Sequence, residues 1–187
     1  MSVTKLFLIR HGRASAGWDT AVDPDLDDLG WQQAHEVARQ LALNQKVSRV
    51  VTSPLQRCQQ TSQPLCELWK ISADICPEVS EIPSPEGVTM ANRVEWLRVA
   101  MVGTWGALGP HYTTYRDELV AFVRNLNVDT VVFSHFIAIN AVVGAILGDD
   151  RLIIHRLDNC AITIIERDHD GTLTLVQSGR EADTLIR

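Results

Sequence analysis

The stretch Leu6-Phe7-Leu8-Ile9 constrains the fold of this chain more than any other. Four apolar residues in a row, bounded by Lys5 and Arg10, read as a short strand buried on both faces, because a strand with one wet face would alternate. Such strands belong to parallel sheets, whose ligands bind in the crevice beyond the strands' carboxyl ends. Arg10 and His11 stand at that edge. Gly12 follows, where a residue without Cβ lets the backbone turn sharply or approach a ligand closely. Alone, Arg-His-Gly is a weak signal; its weight depends on whether other strands bring matching groups to the same edge.

The rest of the chain alternates helix and strand. A helix is predicted over 29–43 from the apolar stripe Leu29, Ala34, Val37, Ala38, Leu41 and Ala42, with Asp27 or Asp28 at its start. Val47–Thr52 reads as a strand, and a second helix follows to about Trp69, with Ser53 as N-cap and Pro54 at its first position. Ala73–Val79 reads as a third strand, and 81–87 as a loop fixed by Pro83 and Pro85. Further helices are predicted over 90–105, 115–126 and 137–147, the first with Val94, Leu97, Val99 and Met101 on its apolar positions. Thr130–Phe133 is a fourth strand, and 161–166 with 172–176 a closing hairpin around Asp170-Gly171. The alternation implies an α/β fold, a three-layer sandwich with a mainly parallel sheet and helices on both faces. At 187 residues one domain is expected.

A formal net charge of -6 argues against non-specific binding to nucleic acid or acidic membranes and leaves room for a local cationic pocket. Residues 1–5 lead into too few apolar residues for a signal-peptide core. The apolar run from Val131 to Gly148 is interrupted by Ser134, His135 and Asn140, which suits a strand running into a buried helix, not a membrane span. A cytosolic protein is expected. Cys58, Cys66, Cys76 and Cys160 have neither CxxC spacing nor histidines at ligand spacing, so they read as small apolar residues and no metal site or cofactor is expected.

With the strand ends placed on one edge, the first brings Arg10 and His11, the second runs through Ser53-Pro54 to Arg57, and the fourth ends in Ser134-His135. Two arginines, two histidines and two helix N-termini converge there, which describes an anion pocket, because arginine's planar fork matches phosphate oxygens. A neutral histidine can attack phosphorus and divide one hard displacement into two easier ones, with positive charge on Arg10, Arg57 and His135 stabilising the transferring group.

At these residues the chain resembles the histidine phosphatase, or phosphoglycerate mutase-like, superfamily. Leu8-Ile9-Arg10-His11-Gly12 looks like its signature, in which the histidine is phosphorylated. Leu29-Gly30 with Gln33-Ala34 resembles the helix start that follows. Val51–Arg57 with Thr61 resembles its second phosphate-binding segment, and Val131–His135 the strand delivering the second histidine. The resemblance implies His11 as nucleophile, Arg10, Arg57 and His135 as phosphate ligands, and Glu81, which sits where the family often keeps its proton donor, as the acid. Arg13-Ala14 in place of Glu-Thr, and the short cap at about 82–114, point to a small phosphatase-type branch. The Asn expected soon after the signature is missing, with Asp19 nearby but shifted, and Phe136 stands where some members carry Gly or an acidic donor.

The expectation is thus a metal-independent phosphatase acting on a small phosphorylated substrate or phosphoprotein. A mutase of the same fold would need the leaving alcohol to stay bound, and a phosphate-binding scaffold would need no nucleophile. Glu78 and Glu86 rival Glu81 on composition alone. Arg13 either widens the anion field or faces water. His35, His155 and His169 read as structural or solvated, His111 as a loop residue, and Trp96 and Trp105 as packing.

Overall fold

A computed structural model describes residues 3–17, 20–44 and 47–182. In chain order the elements are β1 (Thr4–Arg10), α1 (Asp28–Asn44), β2 (Arg49–Thr52), α2 (Gln56–Trp69), β3 (Asp74–Ile75), a short 3-10 turn (Pro77–Val79), α3 (Met90–Met101), α4 (Trp105–Leu108), α5 (Pro110–Arg124), β4 (Thr130–Ser134), α6 (Phe136–Leu147), β5 (Ile162–Arg167) and β6 (Leu173–Gln177). The strands form one sheet of order β3-β2-β4-β1-β5-β6. The pairs β3-β2, β2-β4 and β4-β1 are parallel, and β5 and β6 join antiparallel.

The unbroken apolar run of β1 has the structural meaning expected of it. Leu6 and Leu8 enter the core under α5 and α6, whereas Phe7 and Ile9 enter a second core under α1 and α2. Val51 and Val132 extend the first core, and Val50, Val131 and Phe133 the second, so the central strands are apolar on both faces. Leu97, Ala100 and Trp105 from α3 and α4 belong to the first core as well.

Several boundaries differ from expectation, each for a local reason. Helix α2 starts at Gln56, not Pro54, and Ser53 does not cap it. Its first N–H instead donates to Asp23 Oδ1 at 2.7 Å, from the loop after β1. Strand β3 spans two residues because Pro77, which has no N–H for the ladder, turns the chain into the 3-10 turn. Helix α3 stops at Met101; α4 starts afresh, with Trp105 N–H on Asp150 O and Gly106 N–H on Asp150 Oδ2. Helix α5 starts five residues before expectation, at Pro110, after Gly109 at φ 92°. Leu29, Ala42 and Val99 lie outside the cores on exposed helix faces.

Candidate active site

All four parallel strands present their carboxyl ends to one edge. His11, directly after β1, is 4% exposed. Its main-chain N–H donates to Ser134 O at 3.0 Å, and its carbonyl accepts from Asn159 Nδ2 at 2.9 Å. Cys160, in the left-handed region at φ 53°, donates its N–H to Arg10 O at 3.0 Å. Gly12 N–H donates to Thr61 Oγ1 at 2.9 Å, and that hydroxyl donates to Arg57 O at 2.5 Å. The His11 backbone is thus gripped from β4, α2 and the turn before β5.

Arg57, in the first turn of α2, is the hub. Its Nε–H lies 3.2 Å from His11 Nε2 and its Nη2 3.2 Å from His135 Nδ1. Guanidinium only donates, so both ring nitrogens must be the unprotonated ones. His11 therefore carries its proton on Nδ1, which donates to Gly12 O at 2.7 Å, and its Nε2 lone pair faces the site. His135 carries its proton on Nε2, 2.8 Å from Ser53 Oγ, the hydroxyl expected to cap α2. Burial first, then Arg57, push both histidines well below their ordinary pKa. The positive charge expected on His135 is absent here, because burial beside cations excludes it. The imidazoles sit edge to face with centroids 5.3 Å apart.

Arg10 is buried, donates to Leu157 O at 2.6 Å, and lies over the Phe136 ring at 5.0 Å. Burial lowers its pKa to about 10, which leaves it charged at neutral pH. Glu81 follows the 3-10 turn and is buried at the start of α6, where Ile137 and Ala138 donate to its two oxygens at 3.4 and 3.3 Å. Burial raises its pKa, opposed by the Ile82 N–H, Arg57, the Ile137 N–H and Arg10. Both helix N-termini expected to receive an anion are thus answered by carboxylates, Asp23 on α2 and Glu81 on α6.

Residues 6–178, a span enclosing Arg10, His11, Arg57, Glu81 and His135, match the family model of the histidine phosphatase superfamily (branch 1). The chain belongs to that superfamily.

Within the histidine phosphatase superfamily, the chain is 31% identical over 87 residues to a metal-independent phosphoserine phosphatase of Arabidopsis thaliana, a match covering 43% of this chain and 34% of the relative. It spans 51% of the mycobacterial relatives it also matches. Among solved structures, a phosphoserine phosphatase of Entamoeba histolytica in complex with 3-phosphoglyceric acid superposes with a TM-score of 0.72 at 22% identity, covering 95% of this chain and 97% of the other. An alpha-ribazole phosphatase of Shigella flexneri superposes with a TM-score of 0.74 at 18% identity, covering 97% and 99%. These structures share the fold.

The remaining expectations for this histidine phosphatase chain sort by exposure. Glu78 and Glu86 are exposed, whereas Glu81 is buried. Arg13 pairs with Asp27, and His155 with Glu181 at 2.9 Å. His35 and His169 are exposed, while His111 stands on the first turn of α5, not in a loop. Trp105 is core, and Trp96 stacks against Tyr112 with centroids 5.6 Å apart. Cys58 is fully buried and the other three thiols are partly so, all free. Asp19 and Trp18 lie outside the described residues. Sequence reasoning missed Asp23 and Asn159, which hold the start of α2 and the His11 carbonyl.

Proposed function

We propose that the protein is a metal-independent phosphatase that hydrolyses a small phosphomonoester through a phosphohistidine on His11. The observation that carries the reading is the His11 ring, fixed by its Nδ1–H on Gly12 O with the Nε2 lone pair turned to Arg57. An incoming phosphate draws Arg57 away from both imidazoles onto its own oxygens, with Arg10 as the second cation. Its negative charge raises the pKa of His135, which protonates at Nδ1 and donates there. His11 Nε2 then forms the N–P bond as the P–O bond to the alcohol breaks, and the leaving oxygen takes the proton from Glu81. The resulting carboxylate removes a proton from water, whose oxygen attacks phosphorus and returns the electron pair to Nε2. Arg10 and Arg57 supply the positive charge that a metal would bring.

The segment 82–114 is the cap of a single domain in this reading. Free thiols and the family relationship favour a cytosolic enzyme acting on a small phosphorylated metabolite, with a phosphorylated protein side chain as the second substrate class and net charge arguing against non-specific nucleic-acid binding. Among the described residues no helix is long and apolar enough to cross a membrane. The relative and the neighbour named as phosphoserine phosphatases support a substrate of that size. Rapid quenching with ³²P-labelled substrate should trap label on the protein, stable in alkali and labile in acid, and His11→Ala should abolish it. Label that survives acid and is lost in alkali would place the phosphate on a carboxylate and overturn the assignment. Turnover should need no acceptor alcohol and no bisphosphate primer and should survive chelation.

A further inference from the structure

The guanidinium of Arg57 has three nitrogens, and two of them meet the histidines: Nε lies 3.2 Å from His11 Nε2 and Nη2 3.2 Å from His135 Nδ1. The third, Nη1, lies 3.8 Å from Oδ1 of Asp23. That same oxygen accepts the Gln56 N–H at 2.7 Å, so the carboxylate is fixed by the residue that precedes Arg57. Its loop is stitched to the next turn of α2 as well. Gln60 accepts the Leu26 N–H on Oε1 and donates from Nε2 to Asp25 Oδ1, both at 2.7 Å. Arg57 is buried and Asp23 only partly exposed, so salt screens this pair less than an ion pair on the surface.

Transfer of a phosphoryl group does not call for an anion in that place. Protonation of the leaving oxygen falls to Glu81, buried at the start of α6. The helix start does not require the charge either, because asparagine and serine cap as well as aspartate. What the charge adds is repulsion toward any second anion drawn to the same guanidinium.

We propose that Asp23 is a counter-charge that limits how tightly the site holds inorganic phosphate, the product of hydrolysis. The inference rests on the phosphatase reading above, in which Arg57 moves from the imidazoles onto the phosphoryl oxygens. As phosphate departs, Asp23 and the two imidazoles take Arg57 back, and the site is ready for the next substrate. Asp23 touches no reacting atom; it is a positioning residue that acts through Arg57.

Asp23→Asn keeps an oxygen for the Gln56 N–H and removes the charge. Titration calorimetry with inorganic phosphate gives its Kd, and inhibition of p-nitrophenyl phosphate hydrolysis by inorganic phosphate gives its Ki. Both should fall in Asp23→Asn by about 3- to 10-fold, the size of one charge felt across several ångström of partly wet protein, and KM should fall with them. Asp23→Glu, which keeps the charge, should stay close to the wild type. A residue that only held the loop would give the opposite sign, since a loosened Arg57 raises Kd, Ki and KM together. Weaker or unchanged phosphate binding in Asp23→Asn therefore overturns the inference. So does an Asp23→Glu enzyme that tightens on phosphate as much as Asp23→Asn, because charge is then not the cause. Where Asp23→Asn fails to fold, Asp23→Ser, neutral and still able to cap, decides by the same measurements. Failure of both to fold would assign the carboxylate to the loop and overturn the inference. Wild-type turnover separates the two levels: if p-nitrophenyl phosphate is hydrolysed and His11 takes label, yet Asp23→Asn holds phosphate no tighter, the counter-charge inference alone falls. If no phosphomonoester is turned over and His11 takes no label, the phosphatase reading falls and this inference with it.

Discussion

Arg57 has no lone pair to offer, and that chemical fact sets the tautomer of both histidines it touches. Glu81 poses the opposite problem, since two influences compete on one carboxyl group. The N–H groups at the start of α6 and two arginines favour its charged form, but burial outweighs them and the pKa is raised. A raised pKa keeps the acid protonated into a higher pH range, as protonation of an alkoxide leaving group requires. Glu81→Gln should slow alkyl phosphate hydrolysis by ~10²–10⁴-fold and nitrophenyl phosphate hydrolysis far less. Rates of both substrates across pH check this: the decline of alkyl phosphate activity as pH rises through the raised pKa should vanish in the variant. The sign for stability is opposite. A carboxyl whose folded pKa exceeds its unfolded value destabilises the fold once pH passes the unfolded value. Glu81→Gln should therefore melt at pH 7 no lower than the wild type, and a large drop in Tm would show that its activity loss is structural.

At the scale of elements, the segment after β1 and the start of α1 approach so closely that a side chain is excluded at both Gly12 and Gly30. A Cβ on Gly12 would lie 2.7 Å from Gly30 O, and one on Gly30 would lie 2.1 Å from Arg13 O. Gly12→Ala must push the His11–Arg13 backbone off Thr61, and a displacement of about 1 Å costs roughly 10²-fold in rate. Measurement of kcat beside a thermal melt checks it; unchanged turnover would mean that the α1 start yields instead. Such contacts explain what the sequence could and could not tell. The strand ends were legible because apolar runs such as Leu6–Ile9 and Val131–Phe133 point to buried parallel strands, and their polar successors must meet at one edge. The clamp at Asn159-Cys160 was not, because a left-handed cysteine depends on tertiary context and has no local signature. Asp23 escaped notice because its partner, the Gln56 N–H, comes from an element 33 residues away. Ser53-Pro54 has the local form of a cap, yet a longer-range partner, His135, takes the hydroxyl.

For the molecule as a whole, α3 and α4 are built into the same core as α5 and α6 through Leu97, Ala100 and Trp105. Leu97→Ala should lower stability by about 2–5 kcal/mol in urea titration, with a single transition, whereas Val102→Ala, at 88% exposure, should stay within about 0.5 kcal/mol. A separate early transition in Leu97→Ala would mean that α3 unfolds by itself. The sheet order has one more consequence, for biosynthesis. β1 leaves the ribosome well before its neighbours, β4 and β5. The earlier of these begins at Thr130, about 120 residues later. At about 5–20 residues per second, the strand that leads into His11 waits roughly 6–24 s for a partner. Through that interval an apolar segment with unpaired N–H and C=O groups is open to other nascent chains. The arrangement that makes this site rigid in the finished protein leaves the newborn chain dependent on whatever shields Thr4–Arg10 in the meantime.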